Sequence, residues 1–236
     1  MIAIPDIHGR YDRLQAILKL LKEAGKADPK NMIFLGDYVD RGPESAQVVS
    51  TLREFQRQGA IVLKGNHEGL MCDAVLKGHF EATSLWEMNG GGETRRSYHA
   101  TYQDPSAALR YDAKWLQDLP LYHENETEFF SHAPLPPLLE KSSQFPDWRL
   151  ALLNEQIMTW SYFQPENAAF KVPGKDAYCG HVHALRANIW LPRFYERYAY
   201  LDAGCGCLPD AKLVAFDTEE KRLYVDDLEK QYGTFE

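Results

Sequence analysis

The first third of the chain alternates between short apolar runs and longer segments whose apolar positions recur at helical spacing. The short runs, at residues 1–4, 31–36 and 60–65, predict three buried strands: MIAI, NMIFLG and AIVLKG. The segments that follow them predict helices, because their apolar residues fall three and four positions apart: YDRLQAILKLLKEAG, PESAQVVSTLREFQRQG and EGLMCDAVLKG. This alternation favours a sheet with parallel strands and helices packed against it.

The middle of the chain breaks this pattern. Residues 79–175 predict helical and cap insertions, with a glycine-rich loop at 89–93 and a β-hairpin at 119–133. The last third returns to strand patterns: DAYCG, RYAYLDAG, KLVAFD and RLYVDD. Because no internal repeat or linker interrupts the chain, the sequence predicts a single domain over residues 1–236.

Composition narrows the class of protein. The 236 residues are 44% apolar and 25% charged, as in an ordinary globular protein, and the net charge of −8 argues against non-specific nucleic-acid binding. No apolar run is long enough to span a membrane, and the N-terminus does not resemble a secretory signal. The cysteines are therefore expected to be reduced thiols in the cytoplasm: Cys72, Cys179, Cys205 and Cys207.

Polar side chains follow five of the predicted strands directly. They are Asp6, His8, Asp37, Asp40, Arg41, Asn66, His67, Glu68, His132 and His181. Ligand sites of α/β sheets lie beyond the carboxyl ends of the strands, so we expect these side chains to lie close together. Carboxylate, amide and imidazole ligands in this mixture suit Mn²⁺, Fe or Zn²⁺. Two such ions about 3.5–4 Å apart can clamp a phosphoryl group, and Asp37, which follows the middle strand, is the natural bridging ligand.

Three motifs carry a resemblance to a known family. The stretches DIHG, GDYVDRG and GNHE, followed by two isolated histidines, resemble the phosphoprotein phosphatase branch of the calcineurin-like metallophosphoesterases. The chain looks most like the small bacterial and phage serine/threonine phosphatases of that branch. The resemblance implies an α/β fold of mixed β-sheets, with a β-sandwich core flanked by helices and the active site at the C-terminal ends of the strands.

The resemblance also implies a ligand set for two divalent metal ions. One metal would be held by Asp6, His8 and Asp37, and the other by Asp37, Asn66, His132 and His181. Mn²⁺ is the expected ion, with Fe, Zn²⁺ and Mg²⁺ as alternatives. A water or hydroxide between the two ions would attack phosphorus in line.

The remaining polar residues receive catalytic roles by the same resemblance. Arg41 and Asn66 would bind the substrate phosphate, and His67 would protonate the leaving alkoxide, oriented by Asp40. Glu68 is expected to be a carboxylate at the start of a helix, stabilised by the helix dipole. Related phosphatases carry a second phosphate-binding arginine in a stretch that corresponds here to MTWSYFQ at 158–164, which has none. The alternatives Arg149, Arg186 and Arg193 stay open.

Three functional interpretations follow. The leading one is hydrolysis of phosphomonoesters, with phosphoserine or phosphothreonine in proteins or peptides as the substrate and small phosphate esters accepted in vitro. The second is a symmetrical dinucleoside tetraphosphate hydrolase, although that group tends to carry GNHD where this chain has GNHE. The third is a scaffold that has lost activity, against which the complete ligand set argues. Neither a nucleic acid nor a membrane is expected as a partner.

Overall fold

The computed structural model describes residues 1–136, 147–162, 172–183, 185–186, 189–190, 192–207 and 211–226. The α-helices are α1 (Tyr11–Glu23), α2 (Ser45–Arg57), α3 (Asn66–Cys72), α4 (Phe80–Trp86), α5 (Gly92–Thr101), α6 (Pro105–Gln117) and α7 (Glu155–Trp160). Short 3₁₀ segments lie at Pro29–Asn31 and Trp148–Leu153, and π-helical turns lie at Asp73–Lys77 and Glu87–Gly91.

Within the described residues, the strands form two five-stranded sheets and one small ribbon. The first sheet has the order β12-β11-β1-β2-β3 and consists of β1 (Ile2–Ile4), β2 (Met32–Phe34), β3 (Ile61–Val62), β11 (Val214–Asp217) and β12 (Arg222–Val225). The second has the order β4-β5-β6-β10-β9 and consists of β4 (Tyr122–Glu124), β5 (Glu128–Ser131), β6 (Asp176–Cys179), β9 (Arg193–Tyr195) and β10 (Tyr198–Tyr200). The ribbon pairs β7 (Leu185–Arg186) with β8 (Ile189–Trp190).

Both sheets are mixed. Strands β1, β2 and β3 run parallel, β11 pairs antiparallel with β1, and β12 pairs antiparallel with β11 at the sheet edge. In the second sheet β5, β6 and β10 run parallel, with β4 and β9 antiparallel at the two edges. Each sheet therefore has a parallel centre whose strands end at a common edge.

Within the described residues, the apolar core forms three layers: one between the two sheets and one on the outer face of each sheet. Each sheet borders two layers because successive side chains of a strand point to opposite faces. In β1 the flanking Ile2 and Ile4 pack against the helices, whereas Ala3 faces the second sheet. In β5 the side chain of Phe130 joins the layer between the sheets and that of Phe129 joins the layer beneath the second sheet. Both faces of the central strands are buried, which explains why their sequences are continuously apolar.

The predicted mixed β-sheets with flanking helices are confirmed, with local differences. Helix α3 begins at Asn66, earlier than the pattern predicts, so the polar residues after β3 lie in its first turn. Strand β3 contains only Ile61–Val62, and the pattern did not predict β7, β8 or β9. The single domain over 1–236 stays a prediction. Among the described residues, no helix has the length and apolar character that crossing a bilayer requires.

Candidate metal centre and active site

The site is built by loops that leave the carboxyl ends of the parallel strands of both sheets. The loops after β1 and β2 are joined by backbone bonds, since the N–H groups of Ile7 and His8 both donate to the carbonyl of Asp37 at 2.9 Å. The first turn of α3 supplies Asn66 and His67. From the second sheet, His132 follows β5 and its carbonyl accepts the N–H of Gly180, which follows β6, at 2.8 Å. All five predicted strand ends therefore contribute to one edge of the molecule.

The buried carboxylate of Asp37 belongs to two clusters of ligand atoms. The first cluster contains His8, Asp37 and His67, and the second contains Asp37, His132 and His181; within each, the atoms lie within 4.8 Å of one another. Asp37 Oδ2 is 3.6 Å from His8 Nε2, and Asp37 Oδ1 is 3.4 Å from His132 Nε2. The Asp37 carboxylate is thus shared by both clusters, which is the position that a bridging ligand occupies.

Asn66 lies inside the second cluster. The end of its amide that faces the site is 2.9 Å from His132 Nε2, 3.1 Å from His181 Nδ1 and 3.3 Å from Asp37 Oδ2. These partners are all acceptors when the imidazoles are neutral. Two arrangements satisfy the cluster: the amide nitrogen donates to them, or the amide oxygen shares a cation with them.

The imidazoles of His8 and His132 are oriented by backbone carbonyls. Nδ1 of His8 donates to Val39 at 2.9 Å, and Nδ1 of His132 donates to Leu35 at 2.9 Å. Each bond leaves Nε2 without a proton on the side of the ring that faces the site, as in histidines that bind metals. Burial lowers the pKa of both residues, and burial together with the neighbouring imidazole of His132 lowers the pKa of His181 to about 3. These imidazoles are neutral at pH 7, as metal ligation requires.

His67 has a different electrostatic environment. Its Nδ1 lies 2.8 Å from Asp40 Oδ2, and its Nε2 points into the site. Burial acts to lower the pKa of His67, but the carboxylates of Asp37 and Asp40 outweigh burial and raise it. His67 therefore holds a proton more readily than the other imidazoles of the site, which suits a proton donor better than a ligand.

Arg41 covers the first cluster from the solvent side. One of its guanidinium nitrogens, Nη1, lies 2.8 Å from His8 Nε2 and 2.8 Å from Cys207 Sγ, and the other, Nη2, lies 3.1 Å from His67 Nε2. The exposed guanidinium is therefore at the mouth of the site, beside the carboxylate that both clusters share.

Asp6 lies outside the two clusters but borders them. Its carboxylate accepts the N–H of His181 at 3.0 and 3.2 Å. Burial, followed by the negative charges of Asp202 and Asp37, raises the pKa of Asp6 well above its usual range. Three carboxylates in one buried region repel one another, and a cation would relieve that repulsion.

The donor set fits divalent cations. A carboxylate that both clusters share, neutral imidazoles held by backbone carbonyls, and an amide oxygen among acceptors together form a mixed oxygen–nitrogen site for a transition metal. Residues that would hold the ions are Asp6, His8, Asp37, Asn66, His132 and His181, and this assignment stays a proposal.

Sequence patterns did not reveal several hydrogen bonds that support this site. The carboxylate of Glu68 accepts N–H bonds from Asp37, Tyr38 and Gly65, each at 2.8 Å, in addition to its position in the first turn of α3. The indole N–H of Trp86 and the hydroxyl of Thr94 both donate to Asp40 Oδ1, at 2.9 and 2.8 Å. The only sequence signal near these two residues is the glycine-rich stretch between them.

The contacts of the candidate arginines bear on which of them could serve as the second phosphate-binding arginine. Arg149 pairs with Glu124 at 2.8 Å on an exposed face. The side chain of Arg186 lies outside the described residues. In the stretch that corresponds to the arginine of related phosphatases, Tyr162 is half exposed and its ring centroid lies 6.2 Å from that of His181.

Fold and site together define a metal-dependent phosphoesterase, with two mixed sheets delivering carboxylates, histidines, an amide and an arginine to one edge. Residues 1–185 match the family described as Calcineurin-like phosphoesterase, and the chain belongs to this family. The predicted membership is thereby confirmed, and it places the chain among the metallophosphoesterases, a class of hydrolases.

Relatives of known name fall into two groups. The chain is 31% identical over 137 residues to serine/threonine-protein phosphatase 1 of Salmonella typhimurium, covering 56% of this chain and 58% of that protein. It is 38% identical over 88 residues to serine/threonine-protein phosphatase 2 of Escherichia coli, covering 37% of each. These two similarities support the phosphoprotein phosphatase branch, although each match covers less than two thirds of the relative's length.

The second group consists of nucleotide hydrolases. A symmetrical bis(5'-nucleosyl)-tetraphosphatase of Vibrio cholerae is 31% identical over 216 residues, covering 89% of this chain and 69% of that protein.

Among solved structures, one titled a putative diadenosine tetraphosphatase superposes with a TM-score of 0.58 at 18% identity, over 95% of this chain and 91% of that chain. A cold-active protein tyrosine phosphatase has a TM-score of 0.61 at 14% identity, over 95% and 77%. At these identities the structures show the fold alone.

Proposed function

We propose that this protein is a metal-dependent phosphomonoester hydrolase of the serine/threonine phosphatase type. The observation that carries the proposal is the carboxylate of Asp37, which faces an acceptor-rich cluster on each side, next to the pair formed by His67 and Asp40. The similarity to two bacterial serine/threonine phosphatases supports the substrate class.

Each side chain of the site has a defined task in this proposal. Bound divalent ions, with Mn²⁺ proposed, supply Lewis acidity toward the phosphate and toward water. Arg41 binds phosphate oxygens through the paired N–H groups of its guanidinium, with Asn66 beside it. His67 donates the proton on Nε2 to the leaving oxygen, while its Nδ1–H bond to Asp40 fixes the plane of the ring. No protein nucleophile is needed, so no phosphoenzyme is expected.

A second function competes with the first. The Vibrio cholerae tetraphosphatase aligns with 89% of this chain, more than either phosphatase does. In favour of the phosphatase, residue 68 is glutamate, and its longer side chain reaches the N–H groups of Asp37, Tyr38 and Gly65. Both functions use the same proposed metal ligands, so substrate tests must separate them.

The decisive experiment is a substrate panel with product analysis. The protein is stripped with a chelator, reloaded with Mn²⁺, and given a phosphoserine peptide, p-nitrophenyl phosphate and diadenosine tetraphosphate. The phosphatase proposal predicts metal-dependent phosphate release from the peptide. Formation of ADP from diadenosine tetraphosphate, at a kcat/KM far above that for the peptide, would establish the second function instead. No turnover and no bound Mn²⁺ would indicate an inactive scaffold.

The proposed partner is a phosphorylated protein or peptide, with neither nucleic acid nor membrane involved. We also propose that the protein acts in the cytoplasm. All four cysteines are free thiols, which supports a reducing compartment.

A further inference from the structure

The loop that carries Asp37, Asp40 and Arg41 has an unusual backbone. These three residues adopt φ values of 55°, 71° and 67°, in the left-handed region that residues with a Cβ rarely occupy. Such conformations cost free energy and persist only where surrounding contacts enforce them. The contacts that enforce this loop therefore also position the side chains that the proposed function uses.

Many of those contacts come from one segment, residues 86–97, which we call the clamp segment. It runs from the last residue of α4 through the glycine-rich turn into α5. The hydroxyl of Thr94 accepts the backbone N–H of Asp40 at 2.8 Å and donates to Asp40 Oδ1 at 2.8 Å. The indole N–H of Trp86 donates to the same carboxylate oxygen at 2.9 Å. At the far end, Ser97 Oγ accepts the N–H of Ala46 at 3.0 Å.

These hydrogen bonds hold the Asp40 carboxylate in a single orientation. Oδ1 is occupied by two donors, Trp86 and Thr94, and only Oδ2 faces the imidazole of His67. Asp40 and Trp86 are almost completely buried, so no water replaces a lost donor without rearrangement. The direction of the His67 ring therefore depends on two buried residues, Trp86 and Thr94.

The same segment also holds Arg41. The carbonyl of Gly90 accepts the backbone N–H of Arg41 at 3.3 Å. Gly90 has φ 105°, and a Cβ at this position would lie 2.8 Å from the Arg41 nitrogen and 3.0 Å from its Cγ. The turn thus packs directly on the backbone and side-chain base of Arg41, and only glycine permits that approach.

We propose that the clamp segment is a positioning device that sets two catalytic elements at once: the His67–Asp40 pair through Trp86 and Thr94, and Arg41 through Gly90. This inference rests on the proposed function, because it assigns these contacts to proton donation and phosphate binding. The two elements have different kinetic signatures, so they can be tested separately.

The first test concerns the His67–Asp40 pair. Trp86→Phe and Thr94→Val each remove one donor to Asp40 while retaining most of the apolar volume. With Mn²⁺ loaded, kcat/KM for a phosphoserine peptide should fall about 10-fold, which is a part of the rate that general acid catalysis contributes. In contrast, kcat/KM for p-nitrophenyl phosphate should change less than about 2-fold. The activated phenol needs little protonation when it leaves. Thr94→Ser keeps the hydroxyl and should restore the peptide activity.

A matched control removes an indole bond elsewhere. Trp115 donates its indole N–H to Gln56 at 2.8 Å, away from the site. We call the kcat/KM for the phosphoserine peptide divided by that for p-nitrophenyl phosphate the peptide-to-aryl ratio, and Trp115→Phe should leave this ratio unchanged. Mn²⁺ stoichiometry and melting temperature are measured for every variant. Equal losses on both substrates, in proportion to the loss of melting temperature, would show that Trp86 and Thr94 are only structural and would overturn the proposal.

The second test concerns Arg41. Gly90→Ala should raise the inhibition constant of inorganic phosphate about 3- to 10-fold, as partial loss of a charge-assisted hydrogen bond would, with the peptide-to-aryl ratio unaltered. Unchanged phosphate inhibition in a folded Gly90→Ala protein would refute this half of the proposal.

One further variant separates this inference from the proposed function. His67→Asn should itself reduce peptide turnover selectively. If His67→Asn affects both substrates equally, the proton-donor role is wrong. If His67→Asn is selective but Trp86→Phe and Thr94→Val are not, the role of His67 stands and the clamp segment fails as its positioning device.

Discussion

Gly65, which directly precedes α3 and Asn66, lies close against the loop that carries Asp37. A Cβ at position 65 would lie 2.3 Å from Asp37 Oδ1 and 2.4 Å from the Asp37 backbone nitrogen. To reach even 3.0 Å from that nitrogen, the new carbon must move by at least 3.0 − 2.4 = 0.6 Å. A backbone atom on one side and the first turn of α3 on the other leave little freedom for that movement. Gly65→Ala therefore tests whether the site depends on this contact.

The expected effect has a stability component and a binding component. The backbone of Gly65 is extended, with φ −100° and ψ 176°, so alanine itself is tolerated there and the penalty is steric. Overpacking of this kind costs about 1–3 kcal/mol in the free energy of unfolding. Metal ligands tolerate displacements of only about 0.2 Å, so a shift of Asp37 should weaken Mn²⁺ binding about 10- to 100-fold.

Urea denaturation of the chelated protein measures the first component, and titration with Mn²⁺ measures the second. Gly69 supplies a matched control in the same helix, because a Cβ there meets only the flexible end of Glu155, at 3.2 Å. Gly69→Ala should stabilise the protein by about 0.5–1 kcal/mol through helix propensity and leave Mn²⁺ binding unchanged. A Gly65→Ala protein with wild-type stability and wild-type Mn²⁺ affinity would refute the close approach of the two loops.

Substitutions at four other positions test separate parts of the structure. Asp37→Asn should reduce bound Mn²⁺ at both clusters, measured as metal per protein after gel filtration; retention of two ions would contradict the bridging role. His67→Asn should retain metal and slow peptide hydrolysis about 10²–10⁴-fold, with a much smaller effect on p-nitrophenyl phosphate. Burial raises the pKa of Asp226 to about 6 despite its bond to Arg13, so the native state binds more protons than the unfolded state between pH 4 and 6. The stability that Asp226 contributes should therefore fall as pH rises through that window, and Asp226→Asn should remove this slope from urea-derived free energies. Arg41→Gly should be about 1 kcal/mol more stable than Arg41→Ala, because only alanine retains the left-handed strain; equal stabilities would mean that position 41 is unstrained.

The sequence predicted the strand ends well because their signals are local. A buried strand is continuously apolar, and a polar residue that follows it directly marks the point where the chain reaches the sheet edge. Asp37, Asn66 and His132 could be placed together on this basis. In the structure the amide of Asn66 lies 2.9 Å from His132 Nε2 and 3.3 Å from Asp37 Oδ2. The topology of two sheets meeting at one edge came from the family resemblance rather than from periodicity.

The supporting contacts could not be predicted in this way. Trp86 and Thr94 contact Asp40 across separations of 46 and 54 residues, and bonds of that range leave no periodic trace in the sequence. The same holds for Glu68, whose position suggests a helix start but whose carboxylate bonds to residues 30 and 31 positions earlier. Long-range side-chain bonds depend on the packed fold, and a single sequence does not contain that information.

Backbone strain explains why these contacts are concentrated around the site. Among the described residues, those other than glycine with positive φ are His8, Asp37, Asp40, Arg41, His181 and Lys221. All but Lys221 belong to the proposed site, and at about 1–3 kcal/mol each their combined strain approaches the net stability of a typical domain. Glycine would remove the strain but also the carboxylate, imidazole or guanidinium that the chemistry needs. The chain keeps both the functional side chain and the left-handed backbone that orients it. Bonds such as the one that Ile7 donates to Asp37 and the one that Asp40 donates to Thr94 hold the strained loops in place.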